Sequence, residues 1–131
     1  MLIGTDIIEL ERISQALTRQ SSFANKVLSQ KELTLYETFN EPRQIEFLAG
    51  RFCAKEAYVK ALGVGFRSGF KMPDISVLPN QWGQPELQQG PWIQSVAMSI
   101  SHSKTVAMAT CVIDAHSQAI HQHLLKEGIK L

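Results

Sequence analysis

The order of apolar and polar positions divides the chain into a short first strand, a helical middle and a strand-rich second half. Residues 1–8 are apolar and β-branched, which predicts a strand that carries the acidic side chain of Asp6. From Ile7 to Ile13 the apolar positions move to helical spacing, and Ile13 and Leu17 share one side of the predicted helix. Asp6 is therefore predicted to lie near a junction between a strand and a helix.

Two further helices are predicted before the middle of the chain. The serine pair at residues 21–22 breaks the first helix, and residues 23–28 form a second amphipathic segment. Ser29 is followed three residues later by Glu32, which is the pattern of a capping box at a helix N-terminus. Residues 40–42 end this third helix and open the next one, because proline is tolerated in a first helical turn.

The longest predicted element is a central helix that starts near Pro42 to Ile45 and stops at Gly63. At 3.6 residues per turn, Glu56 lies within roughly 60° of the centre of the apolar stripe of this helix, and Lys60 lies at its edge. A carboxylate that faces the core is costly unless it is paired, hydrogen-bonded or bound to a cation. The stripe consists of Ile45, Leu48, Phe52, Val59 and Leu62.

Strands dominate the second half of the chain. Residues 74–78, 96–101 and 105–113 are β-rich or alternate in polarity, which predicts three strands. Residues 80–85 have the composition of a turn, and residues 89–92 are assigned to a loop.

Two polar connections allow more than one interpretation. Residues 101–104 form a polar tip between two strands, which is either an ordinary turn or a place for a phosphate group. Residues 66–73 contain two glycines and the cations Arg67 and Lys71. This loop can wrap around an anionic ligand, or it is a solvated connection without a ligand.

The pattern weakens after Ile113, where Ile120 and Leu124 indicate a short C-terminal helix. Three histidines lie in this tail, but their spacing does not match a zinc motif and no cysteine joins them. They are His116, His121 and His123.

Composition fits one domain over residues 1–131 with a sizeable core. The net charge of +1 argues against a broadly basic nucleic-acid binder. Cys53 and Cys111 lie in apolar runs without metal-type spacing, which is typical of a reducing compartment. No apolar run approaches the ~20 residues of a membrane span, and the N-terminus lacks a secretory pattern. We therefore expect a cytoplasmic protein.

The acidic and basic side chains of the first half allow two interpretations. Glu56 and Lys60 are four residues apart, and such pairs are often solvated surface bridges worth a few tenths of a kcal/mol. Asp6 at a junction is often a helix cap or a turn residue. Alternatively, Glu56 ligates a hard cation together with a second carboxylate, and Lys60 meets an anion nearby.

Four motifs in order resemble the holo-[acyl-carrier-protein] synthases, and they span residues 1 to 113. Any one of them alone is weak, whereas the ordered set is specific. The first motif begins with Gly4-Thr5-Asp6 and runs to Ile13. The second runs from Arg51 to Gly63 and has the core Lys55-Glu56-Ala57 and Lys60-Ala61. The third is Asn80 with Gly83 and Pro85, and the fourth is Ser99 to Ser103.

The resemblance implies an α+β fold of the 4′-phosphopantetheinyl transferase type. In this fold a three-stranded antiparallel sheet packs on a long central helix. It implies a homotrimer with active sites between neighbouring subunits. The implied reaction transfers 4′-phosphopantetheine from coenzyme A to a serine of apo acyl carrier protein, with magnesium as the usual metal. Adenosine 3′,5′-bisphosphate is the other product, and the expected role is in fatty acid biosynthesis.

The resemblance also assigns roles to single residues. Asp6 and Glu56 match the magnesium-binding carboxylates, and Lys60 matches the lysine that contacts the pyrophosphate. Glu56, or a metal-bound water beside it, accepts the proton of the serine. Arg12 matches an arginine that meets the acidic carrier-protein helix. The residues expected near coenzyme A are Arg51, Lys60, Gly63, Gly65, Ser101 and His102.

Three departures from the family pattern keep other functions open. Val64 replaces a frequent threonine, Gln84 replaces a common lysine, and residues 114–131 extend past the end of many members. One alternative is a transferase for a carrier protein of secondary metabolism. Another is a nucleotide-binding or assembly module without catalytic activity, which would bind coenzyme A without turnover.

Overall fold

The computed structural model describes residues 1–66 and 69–131, and in this part of the chain helices and antiparallel strands form an α+β arrangement. The strands are β1 (Leu2–Glu9), β2 (Ser76–Pro79), β3 (Pro85–Gln89), β4 (Val96–His102) and β5 (Val106–Ile113). The helices are α1 (Leu10–Arg19), α2 (Phe23–Val27), α3 (Gln30–Tyr36), α4 (Glu41–Leu62) and α5 (Ser117–Lys126).

The main sheet is antiparallel and has the order β1-β5-β4. Strand β1 pairs with β5 along its whole length, from Leu2 opposite Ile113 to Glu9 opposite Val106. The predicted three-stranded sheet on a long helix is confirmed. Strand β2 corresponds to the strand predicted at residues 74–78, but it pairs with β3, which was not predicted, in a second, two-stranded sheet. Only Leu87 of β3 is buried, so this short strand leaves no alternation that a sequence pattern could reveal.

Helix α4 is the predicted central helix. The Asn40 side chain caps it by accepting from the Arg43 backbone N–H at 3.1 Å, and Gly63 ends it in the left-handed conformation at φ 77°. The helix is buried on most of its surface, so its apolar stripe is only part of the buried area. Glu56 is half-buried rather than directed into the core, because it lies on the least buried side of the helix. That side carries Ile45, Phe52, Glu56 and Lys60.

Strand β1 extends further than its sequence predicts. Residues 7–9 belong to the strand, and α1 begins directly at Leu10 with Glu9 as its N-cap. The predicted helical spacing from Ile7 was therefore wrong for these residues, because strand pairing with β5 overrides a local pattern. The capping box at Ser29 and Glu32 is confirmed.

A buried ion pair joins the helices to the second sheet. Lys55 Nζ lies 2.6 Å from Glu32 Oε1 and also donates to the carbonyl oxygens of Val27 and Met72 at 2.6 and 2.9 Å. Glu32 Oε2 accepts from the Val77 backbone N–H at 2.8 Å. Both charged side chains are 0% exposed. Burial lowers the pKa of Lys55, and the Glu32 carboxylate opposes that effect.

The C-terminal tail contributes to the same core. Ile120 and Leu124 of α5 are 0% exposed, as the predicted short helix requires. In residues 1–66 and 69–131, no helix is both long and apolar enough to cross a membrane.

The buried pair generates the first prediction. Lys55→Met leaves Glu32 as an uncompensated buried charge, so we expect the free energy of unfolding to fall by about 3–5 kcal/mol. Urea denaturation followed by circular dichroism measures this loss. Lys31→Met on the exposed side of α3 is the matched control and should stay within about 0.5 kcal/mol of the parent. Equal stabilities of the two variants would show that the pair contributes nothing.

Candidate active site

An acidic strand residue and a basic helix residue meet where β1 crosses α4. Lys60 Nζ lies 3.1 Å from Asp6 Oδ1 and donates to the Thr5 carbonyl oxygen at 3.0 Å. The Lys60 side chain is 53% exposed, whereas that of Asp6 is 17% exposed. Lys60 therefore pairs with Asp6 of the strand, rather than with Glu56 in the local surface bridge that the sequence spacing allowed.

Glycine makes this crossing possible. A Cβ atom at Gly4 would overlap the Ala57 carbonyl oxygen and would lie 2.7 Å from the Ala61 backbone nitrogen. The β1 backbone thus rests directly on the backbone of α4, and the small side chains of Ala57 and Ala61 leave room for it. Because side chains alternate along a strand, Asp6 points to the same face as Gly4 and lies beside the helix.

Glu56 adds a second carboxylate to the crossing. Burial raises its pKa, the nearby Asp6 charge raises it further, and Lys60 opposes both effects. Asp6 itself lies in the middle of β1 opposite Ala109, so it is not the helix cap that a junction residue often is. The structure therefore brings together Asp6, Glu56 and Lys60, as the resemblance implied.

Cys53 lies beneath this cluster and next to Asp6. Its sequence predicts only a buried thiol, not a neighbour of the carboxylates. Burial raises the pKa of Cys53 to about 12, and the Asp6 and Glu56 charges act in the same direction. Its Sγ contacts the Ala107 carbonyl oxygen at 3.5 Å. The thiol therefore stays neutral at physiological pH and serves as an uncharged, unreactive neighbour of the carboxylates.

The donor set fits a hard cation that binds phosphate. Magnesium is usually held by one or two carboxylates while it keeps waters and substrate oxygens, and Asp6 and Glu56 supply that number. Within the part of the chain that the structure describes, no group of three or more His, Cys, Asp or Glu side chains is arranged to hold a metal. Burial and the Asp6 charge raise the pKa of Glu56, and a cation bound between the two carboxylates would stabilise the charged form of Glu56.

Arg51 lies elsewhere on α4. Its Nε donates to the Val77 carbonyl oxygen at 3.0 Å, and its guanidinium carbon lies 4.2 Å from the centroid of the Phe47 ring. Burial lowers the pKa of Arg51 to about 10. Lys60 is nine positions further along the helix, which places the two side chains roughly 180° apart around its axis. The structure thus does not bring Arg51 to Asp6, and its contact with coenzyme A stays a prediction.

Ser101 and His102 end strand β4 and are exposed. Ser101 is opposite the exposed Met108 and so belongs to the outer face of the sheet, away from Asp6. His102 Nδ1 lies 3.4 Å from Glu46 Oε2. Neither residue is brought to the Asp6 carboxylate within one chain.

The remaining predicted residues lie at the surface. Gly65 follows the left-handed Gly63 and is exposed. Arg12 is exposed on α1 and lines a groove of ≈ 320 Å³ together with Arg19 and Phe23. Arg67 belongs to the loop that the sequence left open as either an anion-binding or a solvated connection, and it lies outside the described residues.

The turn at Asn80 keeps its form with Gln84 in place of lysine. The Asn80 side chain accepts from the backbone N–H groups of Trp82 and Gln84 at 2.9 and 3.0 Å. It also donates to the Gln84 side chain at 3.1 Å. The replacement therefore adds a bond inside the turn and removes a positive charge from it.

Comparison with known proteins matches residues 2–113 to the 4′-phosphopantetheinyl transferase superfamily. The holo-[acyl-carrier-protein] synthase of Enterococcus faecalis is 43% identical over 113 residues, which are 86% of this chain and 96% of that protein. Its counterpart from an Exiguobacterium species is 40% identical over 112 residues, covering 86% of this chain and 90% of that one. A crystal structure of the Bacillus anthracis holo-(acyl-carrier-protein) synthase in complex with CoA (3′,5′-ADP) has a TM-score of 0.76 and 39% identity, over 88% of this chain and 96% of that chain.

The crossing at Gly4 generates the second prediction. Gly4→Ala places a methyl group where the α4 backbone lies, so β1 must move away from the helix. We expect a loss of more than about 4 kcal/mol in unfolding free energy, or a chain that does not fold. Thermal unfolding measures it. Gln88→Ala, at an exposed position of β3 outside the main sheet, should change stability by about 0.5 kcal/mol or less. A Gly4→Ala variant as stable as Gln88→Ala would contradict the close approach.

Proposed function

This chain belongs to the 4′-phosphopantetheinyl transferase superfamily, and from that premise we propose that it transfers 4′-phosphopantetheine from coenzyme A to a serine of apo acyl carrier protein. The observation that carries the proposal is the meeting of Asp6, Glu56 and Lys60 at the β1–α4 crossing. Relatives named holo-[acyl-carrier-protein] synthase match most of the chain, and one solved relative is in complex with CoA. We also propose that the carrier protein is that of fatty acid biosynthesis.

The proposed reaction is a displacement at phosphorus. The serine oxygen attacks the phosphorus that carries pantetheine, a new P–O bond forms, and the bond to adenosine 3′,5′-bisphosphate breaks. Transfer of this kind depends on positioning and on neutralising charge more than on covalent help. Lys60, exposed and next to Asp6, is the cation that meets the pyrophosphate.

Glu56 is the proposed acceptor of the serine proton. Its pKa is raised above that of an ordinary glutamate, which brings it closer to the range in which a carboxylate accepts a proton efficiently. Asp6 and Glu56 are also the residues that would hold magnesium. When bound, magnesium supplies positive charge that draws the pyrophosphate oxygens to the site.

Coenzyme A is proposed to lie along Gly63 and Gly65 next to Lys60. Ser101 and His102 would contact it from a neighbouring copy of the chain, because in one chain they lie away from Asp6. Arg51 is also proposed to contact coenzyme A, although its side chain is buried. Arg12 is proposed to meet the acidic helix of the carrier protein, since the groove beside it combines arginines with Phe23.

An exposed apolar face supports the proposed assembly. Ile3 and Ile7 of β1 are 66% and 65% exposed, and Met108 of β5 beside them is 43% exposed. These side chains share the outer face of the main sheet, where a second copy would cover them. We propose a homotrimer through this face, with the number of copies taken from the family resemblance. A cytoplasmic location is proposed because both cysteines are free.

The third prediction tests the reaction. The protein, apo acyl carrier protein, coenzyme A and magnesium are mixed, and mass spectrometry follows the gain of one phosphopantetheine group. Glu56→Gln keeps the shape of the side chain but removes the proton acceptor and a metal ligand, so we expect kcat to fall by about 10²–10⁴-fold. A chelator should stop the gain in mass for the parent chain.

Glu37→Gln provides the matched control, because this exposed glutamate lies at the end of α3. It should retain the parent rate. A folded parent chain that binds coenzyme A but modifies none of several carrier proteins would sink the transferase proposal and favour a binding module. Full activity of Glu56→Gln would remove Glu56 from the site.

The fourth prediction tests the assembly. Ile7→Asp places a charge on the outer face of the sheet, and we expect the assembly to dissociate to single chains because an unpaired charge cannot be buried at low cost. Light scattering after size exclusion measures the mass. Ile93→Asp changes an isoleucine that is 51% exposed outside the main sheet, and it should leave the mass unchanged. An Ile7→Asp variant of parental mass would show that this face is free.

A further inference from the structure

The C-terminal helix contacts the end of the central helix. The His121 Nε2 atom of α5 lies 3.2 Å from the carbonyl oxygen of Leu62, the last residue of α4. The same ring nitrogen lies 3.4 Å from the position that a Cβ atom would take at Gly63. The tail thus touches the residue at which α4 turns into the glycine loop. Residues 114–131 lie beyond the part of the chain that matches the superfamily.

The contact fixes the chemistry of the ring. The last four carbonyl groups of a helix have no partner inside the helix, and Leu62 belongs to this set. A carbonyl oxygen only accepts, so Nε2 of His121 donates and carries a proton. His121 therefore satisfies a helix end that the chain would otherwise leave to water.

A second contact holds α5 in place. The Tyr58 hydroxyl donates to the Trp92 carbonyl oxygen at 2.6 Å and accepts from the Trp92 backbone N–H at 2.9 Å. The His123 ring meets the Trp92 ring edge to face, with 5.4 Å between centroids. Ile120 and Leu124 of the same helix are fully buried. The contact of His123 with Trp92 holds α5 without the help of His121. The position of His121 relative to Leu62 is therefore fixed by the rest of the helix.

We propose that His121 is a positioning residue that holds the loop from Gly63 to Gly65 in the conformation that receives coenzyme A. This inference rests on the proposed function, which assigns that loop to coenzyme A. Packing of the tail alone would need only Ile120 and Leu124, whereas the hydrogen bond holds the Leu62 carbonyl group, which directly precedes the loop. A loop that is held before binding loses less conformational freedom when the ligand arrives, so the contact lowers the KM for coenzyme A.

The test compares three substitutions in the full chain. For His121→Ala we expect the KM for coenzyme A to rise about 3- to 10-fold, as for the loss of one hydrogen bond, with kcat unchanged. His121→Gln keeps an N–H donor and should recover most of the parental KM. Gln122→Ala, at the exposed neighbouring position, should match the parent. Thermal unfolding accompanies each measurement, and Tm should shift by less than about 3 °C.

Calorimetric titration of the same proteins with coenzyme A gives the dissociation constant without turnover. A parental KM and dissociation constant for His121→Ala in an active enzyme would overturn the positioning role alone. A fall in kcat and Tm with KM unchanged would also overturn it, because the histidine would then only stabilise the fold. A parent chain that binds coenzyme A but does not transfer phosphopantetheine would overturn the transferase proposal. In that case the ratio of the dissociation constants of His121→Ala and the parent chain still decides the role of His121. A parent chain that does not bind coenzyme A overturns both.

Discussion

The close approach of β1 to α4 is the constraint on which the site depends. At Gly4 the two backbones are in contact, and the neighbouring helix positions are alanines. This distance is short enough for Lys60 to reach both the Asp6 carboxylate and the Thr5 carbonyl oxygen. A larger residue at position 4 would separate the strand from the helix and with it the two carboxylates. The geometry of the candidate site therefore depends on Gly4, which has no side chain.

The opposite side of α4 is held by a different kind of interaction. Lys55 is next to Glu56 in the sequence, but Lys55 and its partner Glu32 are fully buried and hydrogen-bonded to α2, α3 and β2. A buried pair is costly to desolvate and costly to break, so it favours one arrangement of these elements over others. The helix is thus fixed on one side by charge and on the other by the contact at Gly4. Lys55 and Glu56 are neighbours in the sequence, but Lys55 holds the fold together through its buried pair, whereas Glu56 belongs to the candidate site.

Much of this arrangement could be predicted from sequence. The long helix, its glycine stop and the three main strands follow from spacing. The motifs pointed to Asp6, Glu56 and Lys60, and the structure brings these three side chains together. A glycine inside a strand is a general sign of close backbone approach, and Gly4 is such a signal. The Lys55–Glu32 pair could not be foreseen, because both residues are ordinary helix formers and their pairing depends on how α3 folds back. Strand β3 and the contact of His121 with Leu62 are likewise set by tertiary packing.

Strand β1 links the site to the proposed assembly through its pleat. Gly4 and Asp6 point to α4, whereas Ile3 and Ile7 point to the outer face, because successive side chains alternate. A register shift of one residue against β5 would move Asp6 to the outer face and the isoleucines onto the helix. The buried Gly4 contact excludes that shift, since neither Ile3 nor Thr5 would fit against the α4 backbone there. The same contact that builds the cluster of Asp6, Glu56 and Lys60 therefore also fixes which side chains a neighbouring copy would meet.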